Sequence, residues 1–342
     1  MRLEHLLQEW LHNKVMLLCK LRTYTRYREI AENHLKADIG EYEVRCITSQ
    51  VIGEYLAVKR KRGNLKTGGS LSCSTVNMIR TVLKLVMQYG CDCGYVTHNP
   101  VLSVPRMKNR VKSVSAFTQQ EQRRIEKAIC ESKDKRLIGI RISLYTGVRL
   151  GELLALRWQD IDFVSGTLYI NKTVYQVKDE KKCWKTVIDR PKSDASVRYV
   201  PIPTMLLREL RAYSRERNGE TVICDKHGRA VKIRTYQEIF KRLLRGNNIR
   251  ELNFHALRHT FATRSLETKM DIKTLSEILG HESEAVTIKI YCHSFMSTKK
   301  KAINQLNRYY FTASNKIFDA KFLPENMEIT AKRDAFDFIN CS

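Results

Sequence analysis

The apolar period of this chain breaks once, and the break divides it into two bodies of different character. From Leu3 to about Leu102 apolar side chains recur at helical spacing, beginning with Leu3, Leu6, Leu7, Trp10 and Leu11, and strand signals are scarce. A small helical bundle follows. Its second helix carries Thr23-Tyr24-Thr25-Arg26-Tyr27-Arg28, and its third ends in Lys59-Arg60-Lys61-Arg62-Gly63. The fourth runs from about Ser74 to Tyr89 with Val76, Ile79, Val82, Leu83 and Val86 on one stripe. Near Asn99-Pro100 the bundle stops, and the stretch from Val104 to Lys112 is basic and proline-marked without an apolar period, which predicts a linker. Thr118-Gln119-Gln120-Glu121 then has the form of a capping box, so a second body begins there.

That second body is mixed. Thr167-Leu168-Tyr169-Ile170, Thr173-Val174-Tyr175-Gln176-Val177, Lys185-Thr186-Val187-Ile188 and Val197-Arg198-Tyr199-Val200 have the β-branched and aromatic bias of short strands, while the flanking segments are helical in pattern. The expected fold class is mainly α with one small antiparallel sheet: an N-terminal helical bundle followed by a mixed α/β domain. The expected division is 1–104 for the bundle, 105–115 for the basic linker, 116–311 for the mixed domain and 312–342 for a C-terminal tail. Ile317, Phe318, Phe322, Leu323, Phe336 and Phe338 give that tail apolar surface to cover.

Sixty-one Lys and Arg against 36 Asp and Glu leave a formal charge of +25, which calls for a polyanionic partner. A long uncharged apolar stretch, a signal peptide and a lipidation motif are all missing from the pattern, so nucleic acid is expected rather than membrane, in a cytoplasmic setting. The ten cysteines are scattered from Cys19 to Cys341, and the one close pair, Cys91 and Cys93, is spaced too tightly for a zinc framework. Reduced thiols, mostly buried or incidental, are expected. With neither a metal-spaced carboxylate cluster nor a Walker-type glycine loop in the sequence, the expectation is no metal and no cofactor.

Three polar clusters stand out in the mixed domain. Arg149 follows the break at Thr146-Gly147 and opens a helix whose Leu150, Leu153, Leu154 and Trp158 face inward, and Glu152 lies one turn on, placed to orient the arginine. A surface ion pair would look the same. His255 and Arg258 are three apart on a helix that Asn253 is placed to cap, with Leu257 and Phe261 turned to the core. His281 follows Gly280, which ends a helix from Asp271 to Leu279, and Tyr291 lies towards the end of the next helix with Ile288 and Ile290 to pack it. Taken singly, a capping or core histidine and a packed tyrosine are the better readings.

Jointly, two arginines, two histidines and a tyrosine in this order resemble the tyrosine recombinases, also called the phage integrase family. Thr146-Gly147-Val148-Arg149-Leu150-Gly151-Glu152-Leu153-Leu154-Ala155-Leu156-Arg157-Trp158 is similar to that family's first signature. His255-Ala256-Leu257-Arg258-His259-Thr260 is similar to its second, although Ala256 replaces a frequent acidic residue, and Leu279-Gly280-His281 followed by Tyr291 is similar to its third. Pro191-Lys192-Ser193 with Ser196 to Pro201 resembles the strand-turn segment that carries the family's catalytic lysine. The resemblance implies a core-binding domain in the bundle and a catalytic set of Arg149, Lys192, His255, Arg258, His281 and the nucleophile Tyr291, with Glu152 in support. It further implies cleavage and rejoining of DNA through a 3′-phosphotyrosyl link, for integration, excision or inversion of a mobile element. The implied partners are double-stranded DNA with specific recombination sites and a homotetramer assembled on it, with room for an accessory directionality protein but not for an arm-site-binding module. The alternatives are DNA relaxation of the type IB topoisomerase kind and a DNA-binding regulator without catalysis.

Overall fold

The computed structural model describes residues 1–108, 115–179, 183–191, 193–216, 219–291 and 303–306. The first body is the expected bundle, built from α1 (Leu3–Trp10), α2 (Leu21–Ile30), α3 (Ser49–Arg62) and α4 (Cys73–Asp92). Its core joins Leu3, Leu6, Leu7 and Trp10 of α1 to Ile52 and Leu56 of α3 and to Val76, Ile79, Leu83 and Val86 of α4. Burying each of these large side chains stabilises the bundle by about 2 kcal/mol, which is why one apolar stripe per helix suffices. The helix starts are set locally: Thr48 Oγ1 accepts the Val51 N–H at 3.3 Å and Ser72 Oγ the Thr75 N–H at 3.1 Å. Two π-helical turns, Leu11–Val15 and Ala31–Lys36, interrupt the regular period, and nothing in the apolar pattern announces them.

The bundle does not end at Asn99-Pro100. Buried Arg80 of α4 donates to the carbonyls of Val104 (2.7 Å) and Val101 (2.9 Å), and the Asn77 amide pairs with both backbone groups of Met107 at 2.9 Å. The chain through Met107 is therefore stapled to α4, and the first part of the expected linker belongs to the bundle's surface. The rest of the basic stretch, 109–114, lies outside the described residues.

The second body contains α5 (Gln119–Glu131), α6 (Ile138–Thr146), α7 (Leu150–Ala155), α8 (Thr204–Arg215), α9 (Ile233–Gly246), α10 (His255–Glu267), α11 (Ile272–Leu279) and α12 (Glu284–Tyr291). The capping box forms, with Thr118 Oγ1 accepting the Glu121 N–H at 3.1 Å and Glu121 accepting the Thr118 N–H at 2.8 Å. Just before it, the Phe117 N–H donates to Thr260 Oγ1 at 2.9 Å and buried Phe117 packs edge-on against Phe240, so the chain enters this body already tied to α10 and α9.

The strands fall where expected, but they form two sheets rather than one. β1 (Ile161–Asp162), β2 (Thr167–Ile170) and β5 (Arg198–Pro201) make an antiparallel sheet in the order β1-β2-β5, and β3 (Thr173–Lys178) pairs with β4 (Trp184–Asp189) as a separate hairpin. The first sheet carries Leu168, Ile170 and Val200 into the core, while β4 is mostly exposed. The hairpin packs through the buried Val174, Tyr175 and Val177 of β3 against α7 and also reaches the bundle: Arg28 of α2 donates to the Lys178 carbonyl at 3.0 Å, and Lys20 to the Pro191 carbonyl at 3.1 Å. Among the described cysteines only Cys224 is buried, so burial does not explain the others. Among the described residues, no helix is long and apolar enough to cross a membrane.

Candidate active site

The site gathers at the C-terminal end of α11. An eight-residue helix ends with four carbonyls that have no partner inside it, at the negative end of its dipole. Here every one of them is occupied. Gly280 adopts the left-handed conformation (φ 62°), which lets its N–H reach the Glu277 carbonyl at 3.0 Å and the His281 N–H reach that of Ser276 at 3.1 Å. The next three carbonyls each take an arginine from elsewhere in the chain: Ile278 from Arg198 Nε at 2.6 Å, Leu279 from Arg258 Nη2 at 2.8 Å, and Gly280 from Arg149 Nη2 at 3.1 Å.

Arg258 is 1 % exposed, and a guanidinium so deep needs its desolvation offset by hydrogen bonds. It gains them from two helix ends at once, because Nη1 also donates at 2.9 Å to the carbonyl of Gly147, which caps α6 in the left-handed conformation (φ 68°). A side chain at Gly147 would meet Phe261 at 2.6 Å and Leu279 at 2.8 Å, so the glycine permits both the turn and the packing of α10 and α11 against it. The Thr146-Gly147 break expected ahead of Arg149 is thus also the seat of the second arginine.

Arg149 precedes the short helix α7. Its own N–H donates to Glu152 Oε2 at 3.0 Å and its Nη1 to Glu152 Oε1 at 2.7 Å. Glu152 is 3 % exposed, which removes the surface ion-pair reading. Its Oε2 also accepts from Arg198 Nη2 at 3.1 Å, so one buried carboxylate bridges two arginines. Burial pushes the Glu152 carboxyl up, but Arg198 and then Arg149 outweigh it and hold it below the ordinary carboxylate value. Trp158 is buried as expected but lies beyond α7, in the turn Trp158–Asp160.

The histidines are held neutral. Burial, then the charges of Arg258 and Arg149, push His255 down to about 4, and the same causes with Arg198 added push His281 to about 4. His259, in edge-on contact with His255 at 4.5 Å between ring centres, is pushed to about 4 by burial, His255 and Arg258. A neutral imidazole keeps one donor and one acceptor, so each ring can both hold an oxygen and take a proton. His281 Nδ1 is 2.7 Å from the hydroxyl of buried Thr287, which fixes the ring to α12.

Arg149, His255, Arg258 and His281 therefore come together, with Glu152 beneath them. The backbone of Tyr291 closes α12 one turn beyond Thr287, about 6 Å along the axis. Lys192 lies outside the described residues; its neighbours Pro191 and Ser193 lead into β5. Two local expectations fail. Asn253 does not cap α10 with its side chain: the helix opens on Phe254, and Ala256 donates to the Asn253 backbone carbonyl at 2.9 Å. Ile288, expected to help pack Tyr291, is exposed; the side chains of Ile290 and Tyr291 lie outside those described. Arg198 went unrecognised as part of the cluster. Its signal was the strand period, since Arg198 and Val200 share a face of β5, and a cation on the face that carries a core valine must have buried partners. Chemically, such a group of guanidiniums and neutral imidazoles can hold a phosphate-sized anion and stabilise charge that grows on its oxygens.

Comparisons with known proteins bear on the family and the fold. Residues 101–298 match the phage integrase family, and residues 2–57 match the phage integrase N-terminal SAM-like domain. A tyrosine recombinase XerC-like protein of Caldanaerobacter subterraneus subsp. tengcongensis is 28 % identical over 329 residues, covering 88 % of this chain and 82 % of its own. The ICEBs1 integrase of Bacillus subtilis is 24 % identical over 301 residues, covering 83 % and 77 %. Among solved structures, the Tn1549 transposon integrase in complex with a circular intermediate DNA superposes with a TM-score of 0.75 at 19 % identity, over 90 % of this chain and 99 % of that one. The lambda integrase tetramer bound to a Holliday junction superposes at 0.61 with 21 % identity, over 83 % and 78 %. At such identities these two likenesses establish the fold. The family match spans more than half of the sequence and contains the arginine cluster at the end of α11, and so the chain belongs to the phage integrase family, the tyrosine-type site-specific recombinases.

Proposed function

We propose that this protein cleaves and rejoins specific sites in double-stranded DNA through a 3′-phosphotyrosyl intermediate formed on Tyr291, in the integration, excision or inversion of a mobile element. The observation that carries the reading is the assembly of Arg149, Arg258, His255 and His281 around the end of α11, a pre-organised anion site built from groups far apart in the chain. Arg149 and Arg258 hold the non-bridging oxygens of the scissile phosphate. The Tyr291 oxygen attacks phosphorus, a P–O bond to the phenol forms, and the P–O5′ bond breaks. The phenol proton passes to an imidazole and the departing 5′ oxygen takes a proton from Lys192. One phosphodiester replaces another, so the bond energy is kept for resealing.

A phenol with an ordinary pKa of about 10 is a weak nucleophile at neutral pH, and the cationic cluster offsets the charge that accumulates as it attacks. Bound phosphate also offsets the arginine charges that, after burial, push the imidazoles down, which raises their basicity at the moment a proton must be accepted. In this reading the bundle, 1–104 with the stapled stretch to Met107, is the core-binding domain, the rest of 105–115 the linker, 116–311 the catalytic domain, and 312–342 a tail serving assembly. The protein acts in the cytoplasm, and strand exchange is performed by a homotetramer, with an accessory protein setting direction.

The test selects a duplex from a randomised pool by binding, then incubates it with the protein in chelator and looks for a denaturant-stable adduct. Wild-type protein is expected to form the adduct and Tyr291→Phe to bind without forming it. An adduct that persists in the variant, or tight binding with no adduct in the wild type, overturns the reading; the second result is that of a DNA-binding regulator.

A further inference from the structure

The family signatures account for two arginines at the end of α11, and the structure holds a third. Arg198 has only 6 % of its side chain exposed and donates to Ile278 O at 2.6 Å, Ser196 O at 3.0 Å and Glu152 Oε2 at 3.1 Å. These acceptors belong to three parts of the proposed machinery. Ile278 stands at the carbonyl terminus that seats Arg258 and Arg149. Ser196 closes the turn that follows Lys192 in sequence, a turn whose Ser193 and Ser196 hydroxyls lie 3.1 Å apart. Glu152 holds Arg149.

We propose that Arg198 is a positioning residue for strand cleavage, acting through Glu152 on the Arg149 guanidinium and through Ser196 on the turn after Lys192. This inference rests on the function proposed above. Its physical basis is a shared charge. Glu152 divides its carboxylate, with Oε1 on Arg149 and Oε2 on Arg198, so two cations share one anion and the group keeps a net positive charge to offer a phosphate. Without Arg198, Glu152 would face Arg149 alone, as a neutral pair in a buried setting where the Coulomb attraction is strong. Arg149 would still be present, but its charge would be spent on the carboxylate. Arg198 also fixes β5 to α11, so its loss frees the strand that follows the lysine turn.

The experiment separates binding from chemistry on the selected duplex. Dissociation constants and single-turnover rates of adduct formation are measured for wild type, Arg198→Met, Arg198→Lys, Glu152→Gln and the two double variants, with thermal midpoints alongside. Arg198→Met is expected to bind DNA within roughly 3-fold of wild type and to cleave roughly 10–100-fold more slowly. Arg198→Lys, which can still pair with Glu152 but cannot span all three acceptors, is expected to recover part of that loss. Because the arginine works in part through the carboxylate, combining either change with Glu152→Gln should cost clearly less than the two losses multiplied. Should Arg198→Met fail to fold, the lysine variant and its double with Glu152→Gln carry the same comparison. Unchanged cleavage in folded variants, losses of rate and affinity in proportion, or fully additive losses in the double variants would overturn the proposal. Wild-type protein that forms no adduct overturns the parent function, and this role with it; a wild-type adduct with indifferent Arg198 variants overturns this role alone.

Discussion

The run Lys59-Arg60-Lys61-Arg62 and the trio Arg149, Arg198 and Arg258 hold cations in opposite ways. In the bundle, neighbours in sequence diverge in use: Lys59 is buried on Asp38, Arg60 bonds the Leu71 carbonyl, and Lys61 and Arg62 point to solvent. In the second body, residues up to 109 positions apart converge on three consecutive carbonyls, Arg149 being the first and Arg258 the last of them in the chain. A local charge run therefore exaggerates the free cations on a surface, whereas a distributed set builds a site that no local window displays. The first arrangement suits counterion displacement, which needs only charge near a polyanion. The second suits catalysis, which needs charge at fixed coordinates.

Changes at the trio should break this contrast most strongly. Arg258→Lys keeps the charge but cannot bond the Gly147 and Leu279 carbonyls together, so adduct formation should fall by roughly 10²–10³-fold. Each carbonyl left without a partner should cost about 1–3 kcal/mol, visible as a lowered thermal midpoint. Next in size is Gly280→Ala. Its Cβ would sit 3.0 Å from the Ala195 carbonyl oxygen and from Arg198 Cδ in a left-handed backbone, and the strain of about 1 kcal/mol should lower the midpoint by about 3 °C and slow cleavage roughly 10-fold. Replacing Lys61 and Arg62 together by alanine should instead weaken binding several-fold and reduce the slope of log affinity against log salt by about 2, measured by titration at several ionic strengths. An unchanged slope would show that the exposed half of the run does not meet phosphates.

A separate lever is pH. His255, His259 and His281 have folded values of about 4 against an ordinary 6.5, so the folded protein holds them neutral while the unfolded chain takes up protons. That contribution is complete above about pH 6.5 and is lost as pH falls towards 4. His255 is well exposed, which tempers its share through solvent screening. Melting curves from pH 7 to 4.5 should show a falling midpoint, and His259→Gln should flatten part of the fall. A midpoint that is flat across this range would count against the neutral imidazoles.

Much of this was legible in the chain. Arg149, Glu152, His255, Arg258 and His281 are legible as a set only through their joint resemblance to the phage integrase motifs, since each alone fits a cap, an ion pair or a packed core group; the strands are legible because β-branched residues cluster in short runs. What escaped notice depends on distant partners. Arg198 is 80 positions from the carbonyl it holds, and its role follows only once β5 and α11 are side by side. The detached β3–β4 hairpin is invisible for the same reason, since strand bias says nothing of which strands pair. Asn253 illustrates the reverse error: a good capping residue stood one position too early, and the turn at Phe254 took its place. The bundle's continuation to Met107 was hidden because proline and charge mark a loop but not what the loop is fastened to.

The left-handed residue at the end of α11 has a wider consequence. Three guanidiniums are referenced to one helix terminus, while Arg258 also holds the Gly147 carbonyl and Glu152 ties Arg149 to Arg198, so the end of α11 is pinned to α6, α7 and β5 at once. Fraying of its final turn would scatter all three at once. The centre therefore depends on that last turn staying wound, and Gly280, which bears no functional group, guards it.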